Sequence, residues 1–160
     1  SSHTFICSGV TIGDNCFIGH GVMFINDNYP QSVNEKGEIE EEEDWLGRYV
    51  KTKIRNNVSI GSNATILGGI EIGDGSIIGA GAVVTKNVPA GVTVVGNPAK
   101  IIKEVSDEMI AWKTAGTKLY QRLPADCHES LREVEPLREI PKDRPEQENF
   151  YQTLNEFREK

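Results

Sequence analysis

The sequence predicts a mainly β protein: a parallel β-helix with a looped-out insertion and a helical C-terminal tail. Three observations predict it: an aliphatic position every six residues, a small side chain four residues after it, and a change to helical spacing beyond Lys103. In "VSIGSNATILGGIEIGDGSIIGAGAVVTKNV", Ile60, Ile66, Ile72 and Ile78 are six apart, and three of them are followed directly by Gly. A helix repeats its apolar residues at 3.6 and an ordinary strand at 2, so neither explains a period of six.

Taking Ile6 as the first slot, the register runs through Ile12, Ile18 and Phe24, then from Ile54 through Ile60, Ile66, Ile72 and Ile78 to Val84. Four residues after these slots stand Val10, Cys16, Val22, Val58, Ala64, Ile70, Ser76 and Ala82. Both positions are expected to point inward. Each hexad then supplies a short strand and a corner, and stacked coils bury a core that no single repeat buries alone. Glycine after the slot is expected where corner dihedrals are unusual. Position 1 falls within a hexad, so the chain is expected to begin mid-coil.

Between the two runs of slots, a stretch including "PQSVNEKGEIEEEEDWLG" breaks the period and is read as an insertion over about 28–47. Its acidic run reads as a solvated face, while the flanking Tyr29, Trp45 and Tyr49 suit contact with a substrate or a neighbouring subunit. After Lys103, "SDEMIAWKTAGTKLYQRL" offers Ser106 as an N-cap and an apolar stripe of Met109, Ile110, Trp112, Leu119, Tyr120 and Leu123, in a helix weakened by Gly116. The tail beyond it is expected to hold a second helix, a proline-containing link and a third helix near the end. The organisation is therefore a β-helical domain over 1–103 and a helical extension over 104–160.

A chain of 160 residues suits one core with an appendage. A net charge of −7 and a pI near 5.0 argue against a groove for polyanions, so nucleic acid is not an expected partner. Three cysteines, an odd number, with no signal peptide fit a reducing, cytoplasmic setting. No apolar run is long enough to suggest a membrane span.

The repeats and the closing run "GAGAVVTKNVPAGVTVVGNPAKII" resemble the hexapeptide-repeat acyltransferases over roughly residues 1–103. The resemblance implies a left-handed β-helix with three hexads per coil, acetyl-coenzyme A as co-substrate, no metal, and a homotrimer with active sites between subunits. More narrowly, "SHTFICSGVTIGDNCFIGHGVMFINDNYP" resembles the N-acetyltransferases that act on a 3-amino group of a nucleotide-linked sugar. The tail is loosely similar to those of the branch containing the phenylacetate and carnitine operon proteins and the γ-class carbonic anhydrases.

With three hexads per coil, the face that starts at Ile6 is expected to continue at Phe24, Ile60 and Ile78, which lines up Ser8, Asn26, Ser62 and Ala80 as an outward column. At about 4.8 Å per rung, such a column spans roughly 10–15 Å, the length of a pantetheine arm. Small residues at Ser62 and Ala80, beside Gly79 and Gly81, would let that arm approach the backbone. Asn26 is expected at the reactive end, on the thioester carbonyl or the acceptor, with Asp27 and Tyr29 contacting the sugar nucleotide. The alternative for Asp27 is an Asx turn that opens the loop.

His20 lies on a different face and is the candidate base, because an unperturbed imidazole titrates near 6.5. The alternative is a corner histidine bonded to backbone. His3, 17 residues earlier, is expected on the same face one coil before it. Ser8 stands where the resemblance implies an acidic side chain, which leaves that role unfilled. The coenzyme phosphates are assigned to Lys100 and Lys103, then Lys86. Cys16 occupies an inward slot and Cys7 has no adjacent base, so direct transfer in a ternary complex is expected. Three alternatives stand beside this one. A zinc enzyme like the γ-carbonic anhydrases needs three converging histidines, whereas the repeats hold His3 and His20. The others are an O-acetyltransferase of a small sugar and a non-catalytic trimeric scaffold.

Overall fold

The computed structural model describes residues 1–144 and 153–158. The chain divides into two units, Ser1–Val105 and Ser106–Lys160. In the first, each hexad makes one short strand: β1 Val10–Ile12, β2 Phe17–Ile18, β3 Met23–Phe24, β4 Thr52–Ile54, β5 Ser59–Ile60, β6 Thr65–Ile66, β7 Glu71–Ile72, β8 Ile77–Ile78 and β9 Val83–Val84. Two longer strands close it, β10 Val92–Val95 and β11 Lys100–Glu104. They stack into three sheets, β1-β4-β7, β2-β5-β8-β10-β11 and β3-β6-β9. The coil-to-coil pairings are parallel, and β10 with β11 is antiparallel.

Slot residues meet slot residues: Ile12 pairs with Ile54 and Ile54 with Ile72, Ile18 with Ile60 and Ile60 with Ile78, and Phe24 with Ile66 and Ile66 with Val84. Ile60, Ile66 and Ile72 are fully buried, and the small fourth positions Val22, Val58, Ala64 and Ala82 complete the core between them. Ser76 is tolerated there because its hydroxyl donates to the carbonyls of Gly73 and Pro89, at 2.8 and 2.7 Å.

The glycine that follows the slot has a reason other than the one the sequence suggests. Gly61 is not in the left-handed region; a Cβ there would stand 2.5 Å from the Ala80 nitrogen on the next coil. Its role is close stacking of coils. The left-handed residue comes two positions later, where Gly21 (φ 65) and Gly81 (φ 67) alternate with Asn57 (φ 59) and Asn63 (φ 58). Asparagine is a side chain that tolerates this conformation.

Phe24 and its partner Ile66 are 42 positions apart, against 18 for Ile60 and Ile78, so the excursion adds 24. The amide of Val50 donates to the carbonyl of Asn26 at 2.9 Å, which joins the two ends of the excursion at one corner and leaves 27–49 outside the coil. The expected alignment of Phe24 with Ile60 is therefore wrong. An insertion of 24 is a multiple of six, so it preserves the hexad phase, and the chain resumes at the corner it left, one face away from where the expected alignment put it.

The excursion is ordered by local bonds. Asn34 Oδ1 accepts from the amides of Lys36 and Glu38, Val33 bridges Ile39, and α1 Glu42–Leu46 begins with Asp44 Oδ2 accepting from the Glu41 amide at 3.0 Å. Acidic residues in the first turn of α1 also suit the helix dipole.

In the second unit, α2 Asp107–Ser130 starts at Ser106, whose hydroxyl accepts from the Met109 amide at 3.3 Å. The expected break after Leu123 is absent. The helix runs through Pro124, and an Arg122–Asp126 ion pair at 2.9 Å spans the proline. Residues 131–144 form no helix, so the second helix of the tail is the end of α2. α3 Leu154–Arg158 follows, its Arg158 paired with Glu108 at 2.6 Å. No described helix is long and apolar enough to cross a membrane.

Candidate active site on two edges of the β-helix

The residue two after each slot stands at a corner, so the pairings decide which corners share an edge. After β2, β5 and β8 come His20, Ser62 and Ala80. The ladder beneath them is continuous: the amides of Gly19, Gly61 and Gly79 each donate to the next coil at 2.8 Å. Gly81 adjoins this column, and a Cβ there would meet nothing within 4 Å. Above Ala80, β10 continues the sheet, and β11 pairs Lys100 with Val95 and Lys103 with Thr93. Lys100 and Lys103 are exposed. This edge therefore runs from an imidazole, past small side chains, to the ammonium group of Lys100, while Lys103 lies further back along β11, level with Ile77.

That arrangement corrects the expected column. Ser62 and Ala80 belong with His20 and not with Asn26. The His20 ring accepts or donates through Nδ1 to the Ser2 hydroxyl at 2.9 Å, and its carbonyl takes the Asn63 amide at 2.7 Å. If Nδ1 carries the proton and gives it to Ser2, Nε2 is left as a lone-pair acceptor, the form a general base needs. Ser2 is the coil equivalent of His20. His3 lies one position on, in the left-handed corner at φ 58, so it is not the residue stacked on His20. Sequence reasoning missed Ser2, whose one signal is its 18-residue spacing from His20.

Ser8, Asn26, Gly68 and Lys86 line a different edge, following the register Phe24–Ile66–Val84. Asn26 Nδ2 donates to the Ser8 carbonyl at 3.1 Å, so part of the amide is already engaged in joining coils. Asn28 makes a reciprocal pair with Gly68: its Nδ2 donates to the carbonyl at 3.1 Å, and its Oδ1 accepts the amide at 2.9 Å. Asp27 adopts the Asx turn, with Oδ1 accepting from the Tyr29 amide at 2.9 Å. Its Oδ2 takes Arg48 Nε at 3.0 Å and Nη2 at 2.9 Å. Arg48 also forks onto Glu40 at 2.5 and 2.8 Å. These bonds push the guanidinium well above its ordinary range and hold the Glu40 carboxyl below its own. Tyr29 is 79% exposed, and the rings of Trp45 and Tyr49 lie 5.2 Å apart.

The two cysteines of the β-helical unit, Cys7 and Cys16, are poor nucleophiles here. Cys16 donates to the Arg55 carbonyl at 3.0 Å, and burial raises its thiol pKa, as it does that of Cys7. Among the described residues no cluster of three or more His, Cys, Asp or Glu is placed to hold a metal ion.

Two family models match the chain: the bacterial transferase hexapeptide (six repeats) over residues 51–86, and the hexapeptide repeat of succinyl-transferase over residues 6–23. The β-helical unit is a hexapeptide-repeat domain of the acyltransferase superfamily. Among individual proteins, the chain is 44% identical over 107 residues to the serine acetyltransferase of Buchnera aphidicola subsp. Acyrthosiphon pisum, covering 65% of this chain and 38% of that protein. It is 38% identical over 100 residues to the galactoside O-acetyltransferase of Escherichia coli, covering 61% and 45%. A crystal structure of a hexapeptide-repeat acetyltransferase from Vibrio cholerae O1 biovar eltor, complexed with acetyl-coenzyme A, matches with a TM-score of 0.50 at 28% identity, over 61% of this chain and 50% of that one. The chain thus spans half or less of the length of each of these proteins.

Proposed function

We propose that the chain is an acetyl-coenzyme A-dependent acetyltransferase that acetylates the amine of a nucleotide-linked amino sugar by direct transfer. The observation that carries this reading is the edge from His20 through Ser62 and Ala80 to Lys100. It supplies a proton acceptor, a narrow track about 10 Å long between His20 and Ala80, and cations beyond it, in the order that a thioester, its arm and its phosphates require. The residues fit an extended arm because the track carries no side chain larger than serine, and a Cβ at Gly81 would find only open space. Acetyl-coenzyme A supplies the activated acyl group, and its thiolate leaves. His20 holds the base position and accepts the proton lost by the attacking amine, while Ser2 orients the ring. Lys100 and Lys103 neutralise phosphate, with Lys86 on the second edge.

Asn26, Asp27 and Tyr29 stand on the edge that opens into the insertion, with Ser8 beside them, and we assign that edge to the acceptor. A single subunit keeps the two edges apart. We therefore infer a left-handed β-helix assembled as a homotrimer, in which the insertion of one subunit faces the His20 edge of the next. The free thiols suit the cytoplasm. The amino sugar rests on the resemblance of residues 2–30. A second acceptor class, a sugar hydroxyl, is favoured by the similarity to a galactoside O-acetyltransferase.

The test is thiol release from acetyl-coenzyme A with a panel of nucleotide-linked amino sugars and their hydroxyl counterparts. Turnover with the amines alone supports the proposal, and turnover with hydroxyls alone moves the chain to the second class. Absence of turnover together with no calorimetric binding of coenzyme A would leave a non-catalytic scaffold.

A further inference from the structure

The most extensive charged network in the β-helical unit belongs to neither column. Arg48 binds Asp27 and Glu40 together, and the three side chains are 24%, 14% and 7% exposed. These residues stand at the return, the exit and the middle of the excursion, so one guanidinium ties its three parts to one point. The pairing also answers the acidic run. Glu40 is flanked by Glu38, Glu41, Glu42, Glu43 and Asp44, and Asp27 and Asp44 each disfavour its charge. Removing Arg48 would leave like charges facing one another across the mouth of the loop, beyond the loss of three hydrogen bonds and a further ion-pair contact with Asp27. A lysine offers a point charge and cannot present the same fork to two carboxylates.

We propose that Arg48 is the positioning residue for the acyl acceptor: it holds the insertion as one preorganised element, which fixes exposed Tyr29 and the Trp45–Tyr49 ring pair beside Asn26. This rests on the reading of the insertion edge as the acceptor side. Arg48 acts through geometry. The Asx turn that sets Tyr29 depends on Asp27, and Asp27 is held by Arg48. The coenzyme track lies on the other edge and does not depend on it.

The experiment uses the full chain with Arg48→Gln, Arg48→Lys and Glu40→Gln, read first by amide hydrogen exchange. Arg48→Gln is expected to speed exchange in 27–49 by about 10–100-fold while strand amides in 52–84 and the coenzyme A dissociation constant stay within about twofold. Arg48→Lys should recover part of the protection. Unchanged exchange in the insertion overturns the proposal, and equal loosening of the strands reduces Arg48 to a structural role. With an amine acceptor that the wild type turns over, KM for the acceptor should rise at least about tenfold while KM for acetyl-coenzyme A holds. An unchanged acceptor KM in a variant with a loosened insertion overturns the positioning role. If the wild type binds no coenzyme A, the acyltransfer reading fails, and the acceptor role of Arg48 falls with it; the exchange data still decide whether Arg48 orders the loop.

Discussion

Gly61→Ala tests whether coil stacking, and not backbone conformation, demands the glycine after the slot. An added Cβ would stand 2.5 Å from the Ala80 nitrogen, 2.8 Å from its Cα and 2.9 Å from the Gly79 carbonyl carbon. Ordinary contact begins near 3.4 Å, so the deficit at the nitrogen is most of an ångström, and all three atoms are backbone. The coils must part locally, which stretches the 2.8 Å bond from Gly61 N–H to the Ile78 carbonyl. Overpacking of this kind costs about 1–3 kcal/mol. Asn63→Gly is the companion variant. It relieves a left-handed residue at φ 58 that costs an L-amino acid about 1–2 kcal/mol, so its effect should be near neutral or stabilising. Urea unfolding at fixed protein concentration, with slopes compared, measures both. If Gly61→Ala matches wild type while Asn63→Gly is strongly destabilising, the steric argument is wrong.

Ala80→Trp places an indole on the coenzyme track and should weaken coenzyme A binding at least about tenfold by calorimetry, with stability little changed because the site is exposed. His20→Asn should lower turnover by about 10²–10⁴ while leaving coenzyme affinity intact; near-normal rates would remove His20 from proton transfer. Asn28→Ala breaks the reciprocal pair with Gly68 and should cost about 1–2 kcal/mol in denaturant unfolding. Glu40 is held below its usual pKa chiefly by its hydrogen bonds to Arg48. Its stabilisation is thus complete above the ordinary carboxylate value of about 4.3 and is lost as pH falls through the lowered one. Exchange in 27–49 should accelerate over that acidic range before the strands respond, and a wild-type-like acid profile in Glu40→Gln would contradict this.

The rungs were legible in the sequence because burial selects aliphatics at one fixed position, and Ile60, Ile66 and Ile72 are all fully buried. The face to which the chain returns after the insertion was not. Hexad phase is blind to any excursion whose length is a multiple of six, and the deciding bond, Val50 to Asn26, is a backbone contact that no side chain announces. The same blindness hid Ser2, an ordinary small residue until its coil neighbour is known to be His20. Pro124 misled in the opposite direction, since a proline usually ends a helix, yet here the helix continues to Ser130. At Asp27 the sequence offered two readings. The structure shows the turn, with both oxygens engaged by Tyr29 and Arg48.

The one-face shift alters the chemistry as well as the map. With Asn26 at the head of the track, the thioester would have met an amide that already donates to the Ser8 carbonyl, and any base would have had to come from elsewhere. With His20 at the head, the proposed base and the proposed coenzyme track share an edge, which would leave the insertion free to select the acceptor. On the proposed reading, an amine brought in by a neighbouring edge would reach the thioester next to the group that takes its proton, and no acyl-enzyme would be required. The half-buried Cys16 and Cys7 agree, because their partial burial raises both thiols away from the thiolate that a covalent route needs. The division also predicts how variants should segregate: changes along Ser62, Ala80 and Lys100 act on coenzyme affinity, and changes at Arg48, Asp27 and Tyr29 act on acceptor KM. Mixed effects on both constants from either group would mean that the two edges do not have separate roles.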